Sequence, residues 1–209
     1  MTDLVCLVAD KSQEAALAGL FGRPAALGVR SFEVEIIVHP HRDPGCFHEA
    51  AELLRGFRGT TAHAIVLLDR AWEGAPAPTG EELERQLAER LQSDGLTPWA
   101  EPIVLDPELE VWVFSDSPHV EETLGWAGRV PALRAWLAAE GLWPEAMPKP
   151  GDPKAALDRA LREVRRPRSS SIYRTLAERV SVERCSDRAF LRLRSLVSGW
   201  FGGADEERP

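Results

Sequence analysis

Short apolar runs alternate with amphipathic segments in the first part of the chain. Residues 4–9 are apolar and residues 62–69 are mostly so, ending on an acid, and both are rich in β-prone side chains, which is typical of parallel strands buried on both faces. Residues 29–39 alternate in part between apolar and polar positions, and this pattern predicts a strand near the edge of the sheet. A helix starting at a Ser12 N-cap should follow the first strand, and a second helix is predicted over residues 47–57.

The later part of the chain changes from mixed elements to helices. Thr79 should cap a helix over residues 81–93, and residues 101–104 and 109–114 predict one interrupted strand or two short ones. Helices are then expected over residues 118–126, 130–139, 154–165, 171–180 and 187–200. Four prolines in residues 144–153 mark the best candidate boundary. We therefore predict an α/β fold: a three-layer domain with a parallel sheet over residues 1–145, followed by a helical C-terminal extension over residues 146–209.

Composition indicates an ordinary folded protein, with 44% hydrophobic and 28% charged residues. The absence of a long apolar run argues against a membrane span, and the first residues do not resemble a signal peptide. Cys6, Cys46 and Cys185 lie far apart without metal-type spacing, so we expect a reducing cytoplasm.

The charge is divided unevenly along the chain. Residues 1–148 contain 11 Lys and Arg against 24 Asp and Glu, whereas residues 149–209 contain 14 against 9. Two interpretations follow: the basic part faces phosphate or an acidic partner, or it docks against the acidic part of its own chain.

Acidic residues follow the predicted strands. Asp10 comes after the first strand, Asp69 ends the third, and Glu110 lies near the fourth, as do Glu108 and Asp116. Because ligands bind at the carboxyl ends of parallel strands, these carboxylates could hold Mg²⁺ or Mn²⁺ for phosphoryl-transfer chemistry. The alternative is that they are helix caps and turn residues. The chain has no Gly-x-Ser-x-Gly elbow, phosphate-binding loop or dinucleotide fingerprint, which argues against serine hydrolysis, ATP hydrolysis and dinucleotide redox chemistry.

Several short segments resemble a known group of proteins. Residues 8–14 are similar to the first strand and turn of Toprim-like domains, and residues 65–69 resemble a later Toprim strand that ends in Asp-x-Asp. Residues 107–116 and 154–201 resemble the Glu-x-Trp stretch and the helical tail of small Toprim-like proteins from bacterial mobile and defence islands. Residues 107–113 and 149–154 are most similar to a small subunit of methylation-associated anti-phage defence systems.

The resemblance implies a site, but the sequence departs from the family pattern within it. Ala9 stands where a Toprim nuclease has its general acid/base glutamate, and Arg70 and Ala71 follow Asp69, so the second chelating carboxylate is missing. The first implied function is therefore a subunit of a bacterial anti-phage defence system that has a degenerate metal site. It would act through other defence-system proteins, with oligomerisation left open. The alternative is a Mg²⁺- or Mn²⁺-dependent nuclease that cleaves phage or host nucleic acid. In that case Asp69 and Glu110 would hold the metal, and Asp10 would join them and handle the proton.

Two further clusters each have two interpretations. Arg165, Arg166 and Arg168, beside a run of serines, could contact DNA or RNA phosphates, or could be a solvated helix end. The second cluster consists of His39, His41, Asp43, Cys46 and His48. Its nitrogen, oxygen and sulfur atoms are suited to bind zinc, and the alternative is that the segment is a polar loop.

Overall fold

The sheet is entirely parallel and has four strands in the order β2-β1-β3-β4. The computed structural model describes residues 2–203. The strands are β1 (Thr2–Val8), β2 (Val34–Val38), β3 (Thr61–Asp69) and β4 (Ala100–Leu105). In the centre of the sheet Cys6 is in register with Ile36 on one side and with Ile65 on the other. The predicted parallel α/β class is confirmed, and β2 is an edge strand as its partial alternation predicts.

Within residues 2–203 the chain also forms ten α-helices. They are α1 (Lys11–Phe21), α2 (Pro24–Leu27), α3 (Arg42–His48), α4 (Ala50–Leu54), α5 (Gly80–Ser93), α6 (Pro118–Leu124), α7 (Leu133–Ala139), α8 (Pro153–Glu163), α9 (Ser170–Arg179) and α10 (Arg188–Phe201). The longest of these described helices has 14 residues, and none is both long and apolar enough to cross a bilayer.

The helices cover both faces of the sheet, which gives three layers. Alternate strand residues such as Leu4 and Ile65 pack with α1, α2 and α6–α10 in one apolar core. The intervening residues, such as Val5 and Val66, pack with α3–α5 in a second core. Burial on both faces explains why β1 and β3 read as unbroken apolar runs.

The C-terminal helices share the first core with the sheet. Helix α9 packs along α1, and the α10 residue Phe201 stacks on Phe32 with ring centroids 4.4 Å apart. The Arg192 Nε of α10 donates a hydrogen bond to the Pro102 carbonyl of β4 at 3.0 Å. Residues 146–203 are thus bound to the preceding part of the chain, and residues 204–209 lie outside the described residues.

Ion pairs across this contact join the basic and acidic parts of the chain. They are Lys154–Glu108 at 2.5 Å, Arg188–Glu84 at 2.8 Å and Arg192–Glu101 at 2.8 Å. For these residues the structure therefore shows the second interpretation of the uneven charge, in which the basic C-terminal part docks against the acidic part of its own chain.

Three local predictions are wrong. Residues 109–112 form a 3-10 turn instead of a strand, because the chain turns back across the sheet edge after β4. Asp10, not Ser12, caps α1. The predicted loop and helix over residues 39–57 are two short helices and a 3-10 turn. Helix α3 begins at Arg42, since Pro44 is tolerated in a first turn.

Candidate functional site at the carboxyl edge of the sheet

The carboxyl ends of β1 and β3 border the crevice at which the order of the strands in the sheet reverses. From β1 the chain moves to β2 on one side, whereas from β3 it moves to β4 on the other. Such a switch point is the usual ligand site of an open parallel sheet. Asp10 follows β1 and Asp69 is the last residue of β3, so these two predicted residues lie at this crevice.

Asp69 lies at the end of β3 and is bound by residues from two other segments. Its Oδ1 accepts hydrogen bonds from Gln13 Nε2 at 3.0 Å and from the Leu109 backbone N–H at 3.1 Å. Burial raises its pKa well above the usual range, and the nearby negative charges of Asp43, Glu110, Asp10 and Glu108 raise it further. Asp69 is therefore protonated more readily than an exposed aspartate.

Asp43 adds a carboxylate that the sequence did not place at this edge. Its Oδ1 accepts the Asp69 backbone N–H at 2.8 Å. Burial raises the pKa of Asp43, while the hydrogen bond from Asp69 opposes this rise. Helix α3 thus carries one carboxylate to the end of β3.

Asp10 and Gln13 organise the start of α1. Asp10 Oδ1 accepts the backbone N–H groups of Ser12 at 2.8 Å and Gln13 at 2.9 Å, as an N-cap does. The buried Gln13 side chain accepts the Ala9 N–H at 2.8 Å through Oε1 and donates to Asp69 through Nε2. Gln13 was not predicted as a site residue. Its only sequence signal is a polar side chain in the first turn after a buried strand.

Glu110 is buried and bound by residues from the C-terminal helices. It forms an ion pair with Arg168, and it accepts the Tyr173 hydroxyl hydrogen bond at 2.6 Å. Arg168 also lies 3.3 Å from Asp158. Burial raises the pKa of Tyr173, and the charge of Glu110 adds to this rise. Tyr173 lies more than 60 residues from Glu110 in the chain, so no local pattern could have predicted this partner.

The three predicted arginines differ in their partners. Arg168 points to Glu110, whereas Arg166 donates to the Thr123 carbonyl at 2.6 Å and Arg165 is exposed. Both Arg166 and Arg168 are therefore bound to groups of their own chain.

A second group at the same edge could hold a metal ion. It consists of His39, His41 and Glu49, whose ligand atoms all lie within 4.8 Å of one another. Cys46 and His48, which were also predicted as zinc ligands, are not part of it. Burial raises the pKa of the Cys46 thiol, and His48 packs against Phe47.

The chain matches no protein-family model, and comparisons with curated proteins and with solved structures gave no match. Fold and site alone therefore define its class: a parallel three-layer α/β protein with clustered carboxylates at the switch point of its sheet.

Proposed function

We propose that this chain is a Toprim-like subunit of a bacterial anti-phage defence system and acts through protein partners instead of cleaving nucleic acid itself. Support comes from the short sequence motifs that resemble this family. It comes also from one structural observation: the carboxylates of the expected metal site are hydrogen-bonded or ion-paired within the chain.

Each expected ligand has an internal partner. Asp10 caps α1, Asp69 accepts from Gln13 and Leu109, and Glu110 is paired with Arg168. Mg²⁺ requires an octahedral set of oxygen ligands, several of them water, and usually at least one free carboxylate. Arg168 neutralises Glu110 and Asp10 serves as an N-cap, so the expected ligands are only partly available to a resident Mg²⁺ or Mn²⁺ ion.

The charges around the site also oppose a divalent cation. Arg168 lies against Glu110, and Lys154 Nζ lies 2.5 Å from Glu108 Oε2. These two fixed positive charges neutralise Glu110 and Glu108 and so weaken the attraction of these two carboxylates for a divalent cation. Such an arrangement favours a structural role for the cluster, which ties the C-terminal helices to the sheet.

A phage-plating assay tests this function. Cells carrying the complete defence system would be compared with three other strains. One lacks this chain, one carries its Asp69→Asn variant, and one carries its Asp10→Asn variant. Asparagine keeps the N-cap at position 10 and an amide oxygen at position 69, while each change removes the carboxylate charge. We expect deletion to abolish protection and both substitutions to retain it. Protection that survives deletion would refute the defence role, and protection lost in both Asn variants would refute the partner-mediated role.

One observation favours the nuclease alternative. Asp43 stands beside Asp69, and both carboxyl groups have raised pKa values, so a cation would relieve their mutual repulsion.

A thermal unfolding experiment with and without Mn²⁺ distinguishes the two functions. A bound ion stabilises the native state, so a nuclease should show a rise in Tm that Asp69→Asn abolishes. The partner-mediated function predicts that any effect of Mn²⁺ on Tm is the same in the wild type and in Asp69→Asn.

A further inference from the structure

We propose that His39, His41 and Glu49 form a transition-metal site of the two-histidine, one-carboxylate type, for which Zn²⁺ is the most suitable ion. This site is separate from the carboxylate cluster between β1 and β3, and it does not depend on the proposed function.

The fold fixes the position of His39 at the sheet edge. His39 directly follows β2, and its backbone N–H donates to the Val8 carbonyl at 2.8 Å. The ring lies over Gly45 of α3, where an added Cβ would come within 2.1 Å of His39 Nδ1. The side chain is 2% exposed. Only a glycine at position 45 allows this placement without displacing the ring.

The other two ligands lie at the two ends of α3. His41 precedes the helix and Glu49 follows it. His41 Nδ1 lies 2.9 Å from Glu49 Oε2, and His39 Nε2 lies 3.6 Å from the same oxygen. Ligand atoms bound tetrahedrally to zinc at its usual bond lengths are about 3.3 Å apart. The three side chains therefore need only small movements to enclose an ion.

His39 Nε2 is the atom that points to a ligand. It is buried, and no group within residues 2–203 forms a hydrogen bond with it. A buried polar nitrogen without a partner is unfavourable, and a metal ion beside Glu49 would supply that partner.

Metal binding would change the protonation of His39. Nδ1 accepts the His41 backbone N–H at 3.0 Å, so the proton of the neutral ring is on Nε2. Coordination through Nε2 requires the other neutral tautomer, so this proton moves to Nδ1 and the hydrogen bond from the His41 backbone N–H is lost.

The chemistry of the ligands favours Zn²⁺ over Mg²⁺. Imidazole nitrogens suit zinc and other late first-row metals, whereas Mg²⁺ prefers oxygen ligands. Three protein ligands leave a fourth position for water or a substrate group, as in open zinc sites. The exposed His41 side chain gives this position access to solvent.

Titration of the full chain with Co²⁺ and then Zn²⁺ tests the site. Visible absorption of Co²⁺ reports a four-coordinate environment, and competition by Zn²⁺ gives its affinity. The test variants are His41→Ala and Glu49→Gln, which alter partly or largely exposed side chains. The control is His119→Ala, because His119 and Glu122 form a similar pair at 3.1 Å that belongs to no three-ligand group among the described residues.

We expect the wild type to bind one equivalent of Zn²⁺ with a four-coordinate Co²⁺ spectrum. Each test variant should weaken binding at least about tenfold, while the control should match the wild type. The proposal is overturned if the wild type gives no such spectrum, or if the test variants bind Zn²⁺ as tightly as the wild type or the control.

Discussion

The buried ion pair between Arg168 and Glu110 gives the sharpest prediction about stability. The Glu110 side chain is 3% exposed and the Arg168 side chain is 30% exposed. Substitution Arg168→Met keeps an apolar stem but leaves the carboxylate buried with only the Tyr173 hydroxyl as a partner. Removing one member of a buried pair costs about 3–5 kcal/mol, and the partial exposure of Arg168 places the expected loss near about 3 kcal/mol.

Urea denaturation measures this loss directly, with Arg174→Met as the matched control. Arg174 and Glu178 form an ion pair at 2.9 Å on α9, but their side chains are 59% and 46% exposed. Such a surface pair contributes less than about 0.5 kcal/mol. Combining Arg168→Met with Glu110→Gln should recover part of the loss, with a coupling energy of about 2 kcal/mol. Equal effects of Arg168→Met and Arg174→Met would refute the reasoning.

Two further predictions concern the same edge of the sheet. Folding raises the pKa of Asp69 above its ordinary value of 3.8, so protonated Asp69 favours the folded state. This contribution to the free energy of unfolding is fully present below pH 3.8 and is lost as the pH rises through the folded-state pKa. Asp69→Asn should therefore stabilise the protein more at about pH 8 than at about pH 4.5 in urea denaturation, and a gain that is independent of pH would contradict this. Gly45→Ala should lower the free energy of unfolding by about 1–3 kcal/mol, because the new Cβ would collide with the His39 ring. Gly56→Ala, where an added Cβ meets nothing within 4 Å, should have little effect, and equal losses in the two variants would argue against the packing of His39 on Gly45.

The sequence predicted the parts of the fold that depend on local patterns. The apolar runs of β1 and β3 are buried on both faces, and Thr79 caps α5 by accepting the Glu82 N–H. The apolar and β-branched composition of residues 109–114 suits a strand, and this is why the sequence predicts a strand there. The prediction is wrong because tertiary contacts determine the conformation of this segment instead. There the Leu109 N–H bonds to Asp69, and the chain turns across the sheet edge.

The candidate site could be predicted only in part for the same reason. Asp10 and Asp69 lie at strand ends, and the topology of a parallel sheet brings such positions together. The partners that bind the carboxylates come from distant helices. Tyr173 lies on α9 and Arg168 lies just before that helix, and both reach Glu110 from more than 50 residues along the chain. Whether a carboxylate is available to a cation therefore depends on contacts that no local pattern contains.

The central claim is that the carboxylates at the switch point are engaged within the chain and do not support catalysis. The most direct measurement is cleavage of plasmid and single-stranded DNA by the purified chain with and without Mn²⁺, comparing the wild type with Asp69→Asn. Our account predicts no cleavage by either protein in either condition. Cleavage by the wild type that requires Mn²⁺ and disappears in Asp69→Asn would contradict the account and establish a metal-dependent nuclease.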